Sequence, residues 1–451
     1  MTRLRPNHVI AAGIALVILG LAERLGHFSF ESAAAIVVGF GCIGAAGLGR
    51  AVRPATQDAV YPVMFSVLGV LAAVSTFIPG GVDPLFAAFS IAAVVAFQAC
   101  SLVPRWRPFR LWSTALLLLM AHGTVIHRVP FPPGEDVYRF LNFGIDALVR
   151  GVNPYGHPIA ADGFTFRLTY PPGALLVLAI FRLAFGDIRW GYIAAEAAVV
   201  GLIAAVLAQR SLHTTLIHSA RPGSSRYESH ARRPLLARWE EALILLPLAL
   251  PQVNQAFFIY SNQEWVLLAL AAAVLFTRSS WVWCGIALGI GIATKQYFVV
   301  FPVLFVAPVL PRRSLVLGAL VALAICLPFV AWGPHDFVDK VFGNIGNAPD
   351  PDRITVWAIL FNLGLHPARW LATVTFALGS LAALGLLWWS WRRRVGEALI
   401  ACGIALAVFS LGASFSAYNY FVYALVFCMW GVLLPADWER RHNGSARRAA
   451  A

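Results

Sequence analysis

Charge is scarce in this chain. Asp, Glu, Lys and Arg together make up 12% of its residues, against roughly a quarter in an ordinary soluble protein. Lysine is nearly absent: of 34 basic residues, only Lys295 and Lys340 are lysines. So little charge excludes a water-soluble globular domain of this length. The six cysteines (Cys42, Cys100, Cys284, Cys326, Cys402 and Cys428) fall inside apolar runs. They show neither metal-ligand spacing nor a disulfide framework, so they are expected to pack as small apolar side chains. No repeat relates the two halves, which argues against the inverted halves common in transporters.

What the chain has in quantity is apolar sequence: 59% of its residues, with a mean hydropathy of +0.74. A helix needs ~20 mostly apolar residues to cross a bilayer. On that measure the chain is an all-α polytopic bundle of about 12–14 spans. They run from 8–23 to 418–434, with 239–258, 262–277, 280–293 and 297–310 in the middle. The N-terminus has a basic start and an apolar core but no clear small-x-small cleavage site, and more spans follow at once. It is expected to stay as a first helix.

Basic residues fix the expected orientation. With the N-terminus cytoplasmic, roughly two-thirds of them fall in inner loops, as the positive-inside rule requires. The six arginines from Arg210 to Arg238 and the tail arginines Arg440, Arg441, Arg447 and Arg448 are the main groups. The acids divide the other way. The net charge of +13 is then explained by anionic lipid headgroups rather than nucleic acid. Three parts follow: scaffold helices over 1–104, a second membrane unit over 105–434, and a basic cytoplasmic tail over 435–451. Tyr170–Gly186 is apolar enough to span, but counting it would carry the Arg210–Arg238 group outside. It is expected to lie along the outer interface, opened by Pro171 and Pro172.

The long outer loop, 128–187, is the most unusual segment. Its stretch from Gly134 to Pro172 is polar and rich in turn residues, and it opens with two adjacent carboxylates, Glu135 and Asp136. Charge and irregular backbone are costly in hydrocarbon, so this segment belongs in water at the bilayer surface. Arg139, Asn153, Tyr155 and Tyr170 give it the means to hold a hydrophilic substrate. Other polar outer loops lie at 255–264, 333–368 and 412–419, and these are expected to converge with it on one cleft. Glu196, within the 188–208 span, is expected to pair with a neighbouring helix. His213, His218 and His230 are expected to be solvated loop residues.

Several short runs carry a resemblance. DVYRFL from Asp136 to Leu141, GVNPY from Gly151 to Tyr155 and YPP from Tyr170 to Pro172 resemble the first outer loop of C-type (GT-C) membrane glycosyltransferases. The branch they resemble is the bacterial polyprenol-phosphate-mannose-dependent mannosyltransferases. Ala293, Thr294 and Lys295 are similar to the lysine-bearing turn of that superfamily. Pro328–Trp332, Asp352–Thr355 and Tyr418–Tyr420 also resemble segments of the group, and the likeness runs over residues 111–434. Many relatives carry an acid before the glycine aligned with Gly144. This chain has Phe143 there, and no second acidic role is assigned to it.

The resemblance implies a hexosyl transfer, mannose favoured, from a polyprenyl-phosphate sugar to a hydroxyl of a lipid or glycan acceptor. The expected setting is the outer face of the plasma membrane, with both termini cytoplasmic. Asp136, with Glu135 as its neighbour, is the expected catalytic carboxylate: it would take the acceptor proton and face the cationic sugar centre. The leaving lipid phosphate needs cations, and Arg139, Lys295, Lys340 and Arg353 are the candidates. Tyr155, Tyr170 and Trp332 would bound a sugar ring, and Asn153, Gln263, His335 and Tyr418 complete the expected substrate contacts. Simpler roles compete: Arg139 could pair with Asp136 or Asp146, and Lys295 could snorkel from a helix end. No metal, cofactor or nucleic acid is expected; the partners are the lipid-linked donor, the acceptor and membrane lipid. The alternative class is a transporter or flippase of a lipid-linked sugar.

Overall fold

The computed structural model describes residues 6–22, 29–48, 59–74, 83–128, 136–156, 159–161, 164–166, 168–219, 236–250, 264–295, 302–342, 349–391, 393–413 and 418–434. They form an all-α, polytopic bundle. Among the described residues, seven helices are long and apolar enough to cross a membrane, and six more apolar helices are shorter. Four lead the chain: α1 (Pro6–Ala22), α2 (Phe30–Gly47), α3 (Val60–Val74) and α4 (Pro84–Leu102). A 3-10 turn, Pro104–Phe109, leads into α5 (Arg110–Arg128).

The outer-loop region is more ordered than its composition implies. It folds as α6 (Asp136–Val149), a two-stranded hairpin of β1 (Ile159–Ala161) and β2 (Phe164–Phe166), and α7 (Pro172–Phe185). The strands pair antiparallel, with Ala160 opposite Thr165. The sequence reading anticipated interfacial helices here but not the hairpin. The chain continues through α8 (Arg189–Ser219), α9 (Arg238–Leu245), α10 (Glu264–Thr277), α11 (Trp281–Thr294) and α12 (Arg312–Trp332). It ends with α13 (Pro334–Phe342), α14 (Val356–Asn362), α15 (Arg369–Ser390), α16 (Val395–Gly412) and α17 (Tyr418–Leu433).

All but two of the expected spans coincide with a continuous helix. The 239–258 run is α-helical only to Leu245 and becomes a 3-10 turn at Leu246–Ala249, where Pro247 interrupts the amide ladder. The described part of 297–310 is a single α-turn at Leu304–Val306 and a 3-10 turn at Ala307–Val309 containing Pro308. The chain still has to cross back in this stretch. Gly285 lies against Leu317 and Gly289 against Val321, so α11 and α12 run parallel and in step. The residues between them must return from one end of the bundle to the other.

Small residues bring these helices together. A Cβ on Gly289 would lie 2.5 Å from Val321 and 2.7 Å from the Gly318 carbonyl, so only glycine permits this approach, as in many membrane helix pairs. The first helices are not a separate body: α2 packs on α16 and α1 on α17. Two buried polar pairs cross the bundle. His122 of α5 meets Glu196 of α8, Nδ1 to Oε2, at 2.7 Å. Arg110, at the start of α5, pairs with Glu241 of α9.

The segment expected to lie along the interface is α7. Pro171 is its N-cap and Pro172 its first residue, and Gly186 closes it in the left-handed region at φ 77°. Its start rests on Ala293 and Thr294 at the end of α11. Just beyond its end, Arg189 donates to the Ile126 carbonyl at the end of α5. α7 therefore bridges the end of α11 and the end of α5. At ~1.5 Å per residue, its fourteen residues span only ~21 Å. Leu176, Ile180, Leu183 and Phe185 form its exposed apolar side.

Candidate active site

The two short helices α10 and α11 form a hairpin, turned at Arg278–Ser280, and each is fourteen residues long. Equal arms put the first residue of one beside the residue that follows the other. Those residues are Glu264 and Lys295. Lys295 Nζ donates to Glu264 Oε1 at 2.9 Å, and both side chains are about 95% buried (5% and 4% exposed). Two aromatic faces lie against the pair: the ammonium is 5.0 Å from the Tyr170 ring centroid and 5.3 Å from that of Tyr420.

The Tyr170 turn is tied down from two further sides. Tyr155 is 1% exposed, and its hydroxyl donates to the Tyr170 carbonyl at 2.7 Å. Burial pushes the Tyr155 phenol well above its usual range, so it stays protonated as a donor. Three residues on, Gly173 touches α11 so closely that a Cβ would sit 2.5 Å from the Ala293 carbonyl oxygen. The Tyr155 ring meets Phe329 of α12 and Phe337 of α13 edge-on.

Asn153 begins the turn that delivers Tyr155. Its Oδ1 accepts from the Tyr155 amide at 2.9 Å, a local bond that asparagine is suited to make. Gly151, at φ 73°, supplies the left-handed residue that ends α6. Thus three of the runs singled out from sequence, at 151–155, 170–172 and 293–295, do come together, with 328–332 beside them.

A second polar cluster holds α6. Arg189 grips Asp187, with Nη2 to Oδ2 at 2.6 Å, and its guanidinium lies 5.3 Å from the Tyr138 ring centroid. Burial and the nearby Asp187 carboxylate push the Tyr138 phenol up to about 12. Arg182 of α7 pairs with Asp146 of α6 at 3.1 Å, and that carboxylate holds the guanidinium firmly protonated. Asp146, one of the expected alternatives for Arg139, is engaged by Arg182. Arg139 itself is buried on α6, 7% exposed.

The remaining candidates fall in three places. Asp136 and Tyr418 are placed by backbone alone, as the first residues of α6 and α17; Glu135 and Gln263 lie outside the described residues. Trp332 is 46% exposed at the end of α12, beside Phe329, and His335 is exposed at the start of α13. Lys340 pairs with Asp339, and Arg353 with Asp350 at 3.0 Å. These last contacts are local, so the described bonds do not join Lys340 or Arg353 to the Lys295 cluster.

Lys295, a candidate phosphate contact or snorkelling end residue by sequence, is enclosed and ion-paired to Glu264. The sequence reading missed Glu264, Asp187, Arg189 and Tyr420 as site residues. Glu264 had a usable signal: an acid opening one short apolar run and a lysine closing the next are neighbours in a hairpin of equal arms. Among the described residues, no group of three His, Cys, Asp or Glu side chains could hold a metal ion.

The model of one known family, Glycosyltransferase family 87, matches residues 168–414. The match takes in the Tyr170 turn, α7, α8, Glu264, Lys295 and the α12–α14 region. It begins after α6 and the Asn153 turn. No curated protein and no solved structure matches the chain.

Proposed function

The chain belongs to glycosyltransferase family 87, and from that membership of a multi-pass membrane protein we propose a lipid-linked donor and an outer-face reaction. The donor is a polyprenyl-phosphate hexose, with mannose favoured. The acceptor is a hydroxyl on a lipid or glycan, and transfer takes place on the extracytoplasmic side of the plasma membrane. Residues 1–104 serve as scaffold and 105–434 as the catalytic unit.

The observation that carries this reading is the gathering of the 151–155, 170–172 and 293–295 runs at the end of the bundle where α6 is held. The arginine bias favours that end as the outer one. Asp136 opens α6. The acceptor oxygen attacks the anomeric carbon, its proton passes to the Asp136 carboxylate, and the bond from that carbon to the phosphate oxygen breaks. The electron pair leaves on the phosphate, giving the glycoside and free polyprenyl phosphate. Negative charge on the first residue of a helix is favoured by the helix dipole. Lys340, Arg353 and His335 are the candidate contacts of the phosphate and sugar. No cofactor takes part.

Purified protein incubated with a panel of polyprenyl-phosphate sugars and a lipid extract should yield a glycosylated product, with the mannosyl donor preferred. Absence of product with every donor, together with movement of lipid-linked sugar across vesicle membranes, would replace this reading with the transporter one. Family membership lends that alternative no support.

A further inference from the structure

Glu264 has no part in the transfer just described, yet it is 3% exposed and holds one of only two lysines in the chain. An ion pair this deep gives little net stability, because desolvation of both charges offsets their attraction. What such a pair does well is fix one arrangement of the elements that carry it. Here there are four: the start of α10 through Glu264, the end of α11 through Lys295, the turn before α7 through Tyr170, and the start of α17 through Tyr420.

We propose that Lys295 and Glu264 are positioning residues that latch the 153–173 segment onto the bundle, and that Lys295 is not a contact of the donor phosphate. The proposal rests on the transferase reading. Burial argues against direct phosphate contact: the Lys295 side chain is 5% exposed, so a phosphate would have to displace groups already packed on it. The latch has a route to the expected base. Lys295 holds the Tyr170 ring, and the Tyr170 carbonyl takes the Tyr155 hydroxyl. From there α7 begins, and Leu175, with Leu168 just before the turn, packs on Gly144 in the middle of α6. The head of α6 is Asp136.

Each partner has a separate task. Glu264 keeps the ammonium charged and fixes its position. The tyrosine faces bind that charge without adding another. A neutral side chain at 295 could fill the space but could not hold Tyr170 in the same way. Glutamine at 264 would leave the ammonium in place but free to shift.

The test uses the full-length enzyme in lipid nanodiscs, with amide exchange and donor kinetics measured on the same samples. In Lys295→Met, exchange in 153–156 and 168–175 should speed up by roughly tenfold or more, while α15 and α16 stay protected. Turnover should fall by about ten- to a hundredfold, the scale of a misplaced catalytic group, with donor KM within about twofold. Lys295→Arg should restore both readouts, because it keeps the cation. Lys295→Met with Glu264→Gln should recover thermal stability but not protection of the segment. If Lys295→Met alone does not fold, that double variant and Glu264→Gln carry the comparison.

Unchanged exchange with donor KM raised about tenfold would make Lys295 a donor contact and overturn the latch, leaving the transferase reading intact. Full recovery of exchange and turnover in the neutral double variant would reduce the pair to simple packing and also overturn it. If the wild-type protein transfers no sugar, the donor assignment fails, and the exchange measurements still decide the latch.

Discussion

Tyr155 and Tyr170 stand fifteen positions apart and are joined side chain to main chain, the phenol of the first donating to the carbonyl of the second at 2.7 Å. The bond closes the whole hairpin region between α6 and α7 into a loop with a fixed neck. The same carbonyl belongs to the residue whose ring faces Lys295, so two independent contacts hold one turn.

Tyr155→Phe tests the neck. The ring would keep its edge contacts with Phe329 and Phe337, and only the hydroxyl bond would go. Loss of one such bond costs ~0.5–1.5 kcal/mol. A small drop in thermal stability is expected, with a several-fold lower turnover and little change in donor KM. Turnover equal to wild type would show that the neck does not matter to the chemistry.

Asp136→Asn tests the base. The change keeps size and much of the hydrogen bonding while removing proton acceptance, and a positioned base contributes ~10²–10⁴-fold. Turnover should fall by that order with donor binding largely intact. Glu135→Gln should be milder, since neighbouring residues at a helix start point in different directions. Near-complete activity in both variants would reject carboxylate catalysis here; a larger loss at Glu135 would move the base back by one residue.

The buried pair between α5 and α8 gives a stability prediction. His122→Leu leaves the Glu196 carboxyl without its described partner in the apolar interior, where Phe86 stacks on the lost imidazole. Breaking one side of such a pair costs ~3–5 kcal/mol. Replacing both, as His122→Leu with Glu196→Leu, should recover most of the loss in a detergent unfolding experiment. No recovery in the double variant would mean that the pair does more than join two helices.

Orientation is tested by labelling. A cysteine at Asp162, between the two strands, should react with an impermeant reagent added to intact cells. One at Ser224, in the arginine-rich connection after α8, should react only after lysis. Protection at Asp162 would invert the topology and take the candidate site to the cytoplasmic side.

The bundle was legible because span length and apolar run coincide. What sequence could not show was where broken helices fail. Pro247 and Pro308 lie in runs as apolar as the intact spans, so hydropathy could not tell them apart. In the site, the motifs at Tyr155, Tyr170 and Lys295 stood out by residue type, but their mutual contacts depend on tertiary distance. Glu264 was passed over because one acid at a span end looks like ordinary surface charge. Only its helical partner across the hairpin turns it into a buried group. The hairpin of β1 and β2 escaped notice because three-residue strands leave no periodic signal.

Helix α11 is bounded at both ends, by Ser280 and Lys295, and has fourteen residues, ~21 Å. Its parallel neighbour α12 has twenty-one, ~32 Å, about the full depth of a bilayer's hydrocarbon. Since Gly289 is level with Val321, Lys295 comes level with Leu327, about one and a half turns, ~7 Å, below the end of α12. The room left by the shorter helix is filled by protein, because the Tyr170 turn and the start of α7 rest on Ala293 and Thr294. That turn therefore sits ~7 Å down from the end of α12, set into the bundle like a plug rather than laid across its rim.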